Sequence, residues 1–205
     1  KKYQQIIHAK SKNEYEKCTE LLKHKSLPII NLRKSINGIA SNENSNEYIC
    51  VSPLPSVLNR SYPIENMRFI LDDISKKYRI ILLGEMKQRD LIDCLVNNSN
   101  IINTAGELRL GEIPELIKNA KLFIGLDSGL SHIAYAVGAN AVIIMGGGDI
   151  TRCSPKPKKN FRIIQRNLNC FDCRWNCIYQ EKICLTEISP EQVILQIWNL
   201  INAES

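Results

Sequence analysis

The sequence predicts an α/β fold, a Rossmann-like doubly wound parallel sheet. Two observations support this prediction. From Tyr48 onward, short apolar strands alternate repeatedly with segments of helical periodicity. The strands are apolar at successive positions, which is typical of parallel strands buried on both faces. With 205 residues, the chain is long enough for one domain, or for one domain with a short attachment.

The N-terminal part differs in composition from the rest. Residues 3–24 predict a helix, and residues 36–47 are rich in Asn, Ser and Gly, which is typical of a linker. We therefore expect residues 1–47 to form a helical interdomain segment and linker. Residues 48–205 are expected to form the Rossmann-like domain, with a cysteine-rich segment near its C-terminal end.

Strands and helices follow in order from Tyr48. The predicted strands cover residues 48–52, 79–84, 101–103, 121–127, 141–146 and 161–165. The predicted helices between them cover residues 64–78, 87–97, 111–120 and 129–137. A C-terminal helix is predicted to begin after Ser189, with Pro190 at its first position.

Composition narrows the class of partner and compartment. The formal net charge of +6 suits anionic partners such as nucleotide phosphates or a membrane surface. The sequence has no apolar run of about 20 residues, the length a membrane-spanning helix needs, and its first residues do not resemble a signal peptide. Five of the eight cysteines crowd into residues 153–184, which fits a cytoplasmic protein better than a secreted disulfide scaffold.

The segment from Gly125 to His132 carries the strongest chemical signal, because it lies where a strand ends and a helix begins. Backbone amides at a helix start have no acceptor within the helix, so a phosphate is a natural ligand there. Gly129 allows close approach, whereas the Asp127 carboxylate would repel a phosphate and better suits sugar hydroxyls. The alternative is that the serines only cap the helix and His132 is a core histidine.

The stretch over residues 121–138 resembles the signature of the heptosyltransferase family, glycosyltransferase family 9. That signature is a strand, then Asp-Ser/Thr-Gly-x-x-His, then a helix of small residues that ends in Gly. Residues 59–63, the strand Ile81–Gly84, residues 106–110 and the cysteine-rich tail resemble further family elements in the same order. The resemblance covers about residues 48–200.

The resemblance implies the C-terminal half of a two-domain (GT-B) glycosyltransferase, which binds a nucleotide-sugar such as ADP-heptose. The implied donor-binding residues are Asp127 at the sugar, Ser128, Gly129, Leu130 and His132 at the diphosphate, Arg60 and Ser56 near the phosphates, Leu108 at the base, and Glu85 or Gln88 at the ribose. Transfer in the family inverts the anomeric centre and needs no metal cofactor. The catalytic base would lie in an N-terminal acceptor domain, for which residues 1–47 are too short, so we expect this chain alone not to transfer sugar.

Four cysteines lie close together in the sequence, Cys170, Cys173, Cys177 and Cys184. Their spacing is compatible with structural thiols or with a structural zinc or iron ion, since four thiolates can hold either metal tetrahedrally.

The implied activity is transfer of a heptose or related sugar to a lipopolysaccharide-core or other glycan, lipid-linked or protein acceptor. The expected setting is bacterial and cytoplasmic, with peripheral contact to the inner membrane and no nucleic-acid partner. One alternative is a non-catalytic nucleotide-sugar-binding module. A sugar-nucleotide epimerase is disfavoured, because no Gly-x-Gly-x-x-Gly follows the first strand.

Overall fold

The structure is a computed structural model that describes residues 47–156 and 158–203. The predicted helix over residues 3–24, and the predicted linker up to residue 46, lie outside the described residues. None of the described helices is long and apolar enough to cross a membrane.

The described residues form one sheet with helices on both faces. The strands are β1 (Tyr48–Ser52), β2 (Arg79–Leu82), β3 (Ile101–Asn103), β4 (Leu122–Leu126), β5 (Ala141–Ile144) and β6 (Phe161–Ile164). The helices are α1 (Ile64–Ile74), α2 (Arg89–Asp93), α3 (Ile113–Asn119), α4 (Gly129–Val137), α5 (Ile150–Cys153), α6 (Ile183–Thr186) and α7 (Pro190–Asn202). Two short 3-10 turns, Leu58–Arg60 and Met86–Gln88, follow β1 and β2.

All five strand pairings are parallel, in the order β3-β2-β1-β4-β5-β6. The predicted doubly wound parallel fold is therefore confirmed. In this topology the chain direction across the sheet reverses between β1 and β4, and ligands of such sheets bind at the carboxyl ends of the strands beside that reversal.

The core lies on both faces of the sheet because successive strand side chains point to opposite sides. Ile49 and Val51 of β1 belong to one buried cluster, which α1 and α7 cover, and Cys50 belongs to the other, which α3 and α4 cover. Both faces are thus apolar, which explains why the strands lack polar alternation.

The helix ends follow the predicted signals. Ser189 caps α7 in a reciprocal capping box with Gln192, and Pro190 occupies the first turn. Gly138 ends α4 in the left-handed conformation (φ 75°), which glycine adopts without steric cost.

The predicted helix over residues 87–97 is shorter than expected. A 3-10 turn occupies Met86–Gln88, and α2 ends at Asp93. Asn98 turns the following chain, since its Oδ1 accepts from the amide of Asn100 at 2.9 Å. Such side-chain bonds to the local backbone compete with helix formation.

Candidate functional site

The segments after β1 and β4 form the walls of one cavity at the carboxyl edge of the sheet. The cavity has a volume of about 390 Å³. It is lined by residues from three loops, Pro55, Ser56, Val57, Arg60, Asp127, Ser128, Gly129, His132, Arg152 and Cys153. Six of the predicted donor-site residues are thus brought together around one space, although Ser56 and His132 are far apart in the sequence.

The N-terminus of α4 faces this cavity. Ser128 is the residue before the first turn, in extended conformation, and its carbonyl accepts from the amides of Ser131 and His132. Helix geometry leaves the amides of Gly129 and Leu130 without an acceptor within the helix. A side chain added at Gly129 would contact no protein atom within 4 Å, so the space beside this amide is open.

The serine hydroxyls of this segment differ in their roles. Ser131 is fully buried and its hydroxyl donates to the carbonyl of Leu126, so it cannot bind a ligand. Ser128 caps nothing with its side chain, and its Oγ is a buried polar atom without a hydrogen-bond partner among the described residues. The capping interpretation therefore holds for neither side chain.

Asp127 directly follows β4 and is the acidic group of the cavity. Burial raises its pKa to about 6, against the lowering effects of the Arg60 and Arg152 guanidinium groups and a hydrogen bond with the Cys153 thiol. Asp149 adds a further raising effect. The carboxylate is therefore mostly ionised at neutral pH but poorly hydrated, a state that favours hydrogen bonds from ligand hydroxyls.

Arg60 lies on the opposite wall, at the end of the 3-10 turn that follows β1. Its Nη1 lies 3.8 Å from Oδ2 of Asp149, and its guanidinium carbon lies 5.0 Å from the ring centroid of Trp175. Its Nε is buried and has no hydrogen-bond partner within the described part of the chain. Asp149 and Trp175 therefore fix the position of the guanidinium group, and its Nε–H donor lacks an acceptor within the described residues.

The remaining predicted site residues lie outside the cavity lining. Gln88 is buried, and its amide donates to the carbonyl of Pro55 at 2.9 Å and accepts from the amide of Glu85 at 2.9 Å. Glu85 is exposed, and its pKa is lowered by hydrogen bonds with Lys87 and Ser56. The predicted contacts Leu108 and Leu130 are partly buried against the core cluster on one face of the sheet.

The segment after β5 is part of the site although the sequence patterns did not identify it. Asp149, Arg152 and Cys153 approach Asp127 because β5 lies beside β4 in the sheet. A second cavity of about 630 Å³ adjoins the first and shares its two arginines; it is lined by Arg60, Gly148, Asp149, Arg152, Asp172 and Arg174. The position of this segment after a strand's carboxyl end was the available signal.

Two groups of side chains have the chemistry of metal ligands. One ligand atom from each of Asp127, His132 and Cys153 lies within 4.8 Å of the others, and carboxylate, imidazole and thiolate are all zinc ligands. Burial raises the pKa of Cys153 to about 11, with a further raising effect from Asp127, so a metal ion here would have to displace the thiol proton.

The second group is the predicted cysteine cluster. Its thiols are free, and burial together with the charges of the other three cysteines raises the pKa of Cys184. The loop around them holds Asp172, Arg174 and Trp175 at positive φ, a conformation that ordinary residues rarely adopt. Four thiolates can hold a structural metal ion, but among the described residues the group of ligand atoms that lie within 4.8 Å of one another is Asp127, His132 and Cys153, and the four cysteine sulfurs do not form such a group.

Comparison with known proteins decides the family. The family model described as glycosyltransferase family 9 (heptosyltransferase) matches residues 3–183. The chain belongs to this family. Within it, a curated relative is lipooligosaccharide heptosyltransferase 2 from Campylobacter jejuni serotype O:2, 28% identical over 105 residues, which are 51% of this chain and 33% of the relative. The resemblance identified in the sequence is thereby confirmed.

Solved structures of glycosyltransferases share the fold. The E. coli ADP-heptose lipopolysaccharide heptosyltransferase II matches 93% of this chain and 52% of its own, with 18% identity and a TM-score of 0.64. The iron-containing dodecameric glycosyltransferase TibC from enterotoxigenic E. coli H10407 matches 78% of this chain and 46% of its own, with 20% identity and a TM-score of 0.60. This family 9 chain thus spans about half of a GT-B protein, and a third of the C. jejuni relative.

Proposed function

We propose that residues 48–205 form a donor-binding domain that holds a nucleoside diphosphate sugar at the carboxyl edge of β1 and β4. The observation that carries this proposal is the convergence of Arg60, Asp127, Ser128, Gly129 and His132 on one cavity at the sheet reversal. That position is where ligands bind sheets of this topology.

The diphosphate belongs at the start of α4. The amides of Gly129 and Leu130, the Ser128 hydroxyl and the Arg60 Nε together offer several donors that lack protein acceptors. The positive end of the helix dipole adds to their attraction for an anion. His132, which lines the same cavity, supplies a further ring nitrogen beside the phosphates.

Calorimetric titration of the chain with ADP, UDP and GDP tests this assignment. We expect at least one nucleoside diphosphate to bind, with little affinity for the corresponding nucleoside. Absence of binding by all three at millimolar concentration would refute the proposed function.

The Asp127 carboxylate accepts hydrogen bonds from the hydroxyl groups of the sugar. Its carboxylate is poorly hydrated and sits beside the phosphate site, so hydroxyl donors would satisfy it. Asp127→Ala should weaken binding of the sugar-nucleotide by about 1.5–3 kcal/mol and affect the bare nucleotide much less. An equal loss for both ligands would exclude the sugar contact.

Glu85 is the better candidate for the ribose. Both ends of the Gln88 amide are engaged with backbone groups, at Pro55 and Glu85, and Gln88 is buried. The Glu85 carboxylate is exposed and hydrogen-bonds with Ser56 at the cavity rim. We assign Leu108 to the nucleobase and the backbone of Leu130 to the diphosphate. Both side chains are partly buried.

The reaction we propose is transfer of a heptose or related sugar from an ADP-linked donor to a lipopolysaccharide-core acceptor. The names of the C. jejuni and E. coli relatives support this choice of donor and acceptor. The proposal assigns no described residue as the general base, and residues 1–47 would connect the donor domain to acceptor-binding elements. The test is a transfer assay with ADP-heptose and a deacylated core acceptor. Binding of the donor without transfer by any longer form of the protein would favour a nucleotide-sugar-binding module instead.

The four cysteines of the C-terminal segment are proposed to hold a structural zinc or iron ion that takes no part in transfer. The iron-containing TibC supports this assignment, as does the contribution of the other three cysteines to the raised pKa of Cys184. Because such a site needs reduced thiols, we place the protein in the cytoplasm. Metal analysis of the purified chain should find about one ion, and a strong chelator should lower the melting temperature. An unchanged melting temperature after chelation would indicate that the cysteines are structural thiols that hold no metal ion.

A further inference from the structure

The cysteine segment, residues 170–184, folds back onto the glycine run that follows β5, which consists of residues 146–148. The amide of Asp172 donates to the carbonyl of Gly147 at 2.8 Å, and the amide of Arg174 donates to the carbonyl of Gly148 at 2.8 Å. In return, the amide of Gly147 hydrogen-bonds the thiol of Cys184. The segment is therefore fixed to the same edge of the sheet as the donor cavity.

Asp172 and Arg174 of this segment line the adjoining cavity, and Trp175 is the residue of the segment whose ring lies beside Arg60. A Cβ added to Gly148 would lie 2.3 Å from the indole, and one added to Gly146 would lie 2.7 Å from it. Only glycine allows the ring to lie against the backbone at this point. The glycine run thus makes room for the indole between β5 and the wall of the cavity.

The indole contacts the groups that hold Arg60. Its Nε1 donates to Oδ2 of Asp149 at 3.2 Å, and the same oxygen lies 3.8 Å from Nη1 of Arg60. The Arg60 guanidinium carbon lies 5.0 Å from the ring centroid, within the range of a cation–π contact. The guanidinium therefore lies over the ring, its Nη1 lies near Asp149, and its Nε has no partner among the described residues.

We propose that Trp175 is a positioning residue that holds Arg60 for the donor diphosphate, so that the cysteine segment helps to set donor affinity. The inference rests on the proposed function, because it assigns Arg60 to the phosphates. A long arginine side chain has many rotamers, and fixing it before the ligand arrives lowers the entropic cost of binding. Trp175 acts through Arg60 and touches no ligand itself.

A double-mutant cycle with ADP as the probe tests this coupling. Trp175→Ala should lower the affinity for ADP about tenfold, the equivalent of about 1.4 kcal/mol, and leave the affinity for adenosine unchanged. In an Arg60→Gln background, Trp175→Ala should change the affinity for ADP by less than about twofold, because there is no guanidinium left to position.

Trp198→Ala is the matched control. Trp198 also donates its indole N–H to an aspartate, Asp73, at 2.8 Å, and has a lysine, Lys77, 5.6 Å from its ring. These partners lie at the end of α1, and none of them lines the donor cavity, so removal of Trp198 should lower the melting temperature and leave the ADP affinity intact. If Trp175→Ala does not fold, Trp175→Phe is the alternative, because it keeps an aromatic ring and loses the hydrogen bond to Asp149. Trp175→Phe should lower the affinity for ADP about threefold and leave the affinity for adenosine unchanged.

The outcomes separate the two claims. If the unaltered chain binds none of ADP, UDP and GDP, the proposed function is refuted and this inference with it. If it binds UDP or GDP rather than ADP, that nucleotide replaces ADP as the probe. Suppose instead that the chain binds ADP. The positioning role alone is then overturned if Trp175→Ala lowers the affinity for ADP equally with and without Arg60, or if it lowers the affinity for adenosine as much as the affinity for ADP. The positioning role is likewise overturned if Trp175→Ala binds ADP as tightly as the unaltered chain does.

Discussion

Replacing Asp127 with asparagine should stabilise the protein at neutral pH, although Asp127 is part of the proposed donor site. Burial raises its pKa from 3.8 to about 6, so the folded state binds the proton more tightly than the unfolded state does. At one pKa unit per 1.36 kcal/mol, the charged carboxylate costs up to about 3 kcal/mol of stability at pH 7.5. Asparagine removes the charge but loses contacts with Arg60 and Cys153, so we expect a gain of about 1–2 kcal/mol.

The sign of the pH dependence follows from the raised pKa. The penalty of the ionised Asp127 is fully present above pH 6, fades as the pH falls, and is absent below the unfolded value near 4. Urea denaturation of both forms at pH 7.5 and at pH 4 measures the difference. The Asp127→Asn protein should be the more stable form at pH 7.5 and should show no charge-related advantage at pH 4.

Glu85→Gln provides a comparison of opposite sign. Hydrogen bonds with Lys87 and Ser56 lower the pKa of Glu85, so its ionised form stabilises the fold at neutral pH. Glu85→Gln should therefore lose a little stability at pH 7.5, and that loss should fade as the pH falls through the range where the carboxylate becomes protonated. The reasoning about Asp127 would be refuted if Asp127→Asn were less stable at pH 7.5, or if its gain were the same at both pH values.

Three further substitutions test the framework around the site. Gly148→Ala should destabilise the fold by about 1–3 kcal/mol, since its Cβ would overlap the Trp175 indole, and it should weaken ADP binding in the same calorimetric assay. Tyr62→Phe should cost about 1–3 kcal/mol in urea denaturation, because the buried hydroxyl donates to the carbonyl of Ile188 at 2.7 Å and its loss would leave that carbonyl unpaired. Ser189→Ala should cost about 1 kcal/mol by removing the cap of α7, and an unchanged ADP affinity would confirm that this cap is independent of the site.

The sequence was informative where chemistry and periodicity coincide. The apolar strands predicted the parallel sheet, and the position of Asp127–His132 after a strand predicted a site at its carboxyl edge. Both follow from local patterns. The strand that ends at Leu126 and the helix that starts at Gly129 lie where those patterns placed them.

The contributions of Asp149, Arg152, Cys153 and Trp175 could not be predicted in the same way. Their approach to the cavity depends on β5 lying beside β4 and on the cysteine segment folding back over Gly148, and neither fact has a counterpart in residue spacing. The inward direction of the Ser131 hydroxyl was equally hidden, because it is decided by the backbone carbonyl of the preceding strand.

The central place of β1 has a consequence for how the chain acquires its structure during synthesis. β1 is made first among the described strands, yet one of its edges pairs with β4, with Ile49 beside Leu122. Until β4 leaves the ribosome, the strands β1, β2 and β3 can form only half a sheet, and the backbone N–H and C=O groups along one edge of β1 stay unpaired. At about 5–20 residues per second, that interval lasts several seconds. An unpaired edge of this kind readily pairs with another chain, so the nascent protein is most prone to aggregation just before the segment that carries Asp127 and the phosphate-binding helix start appears.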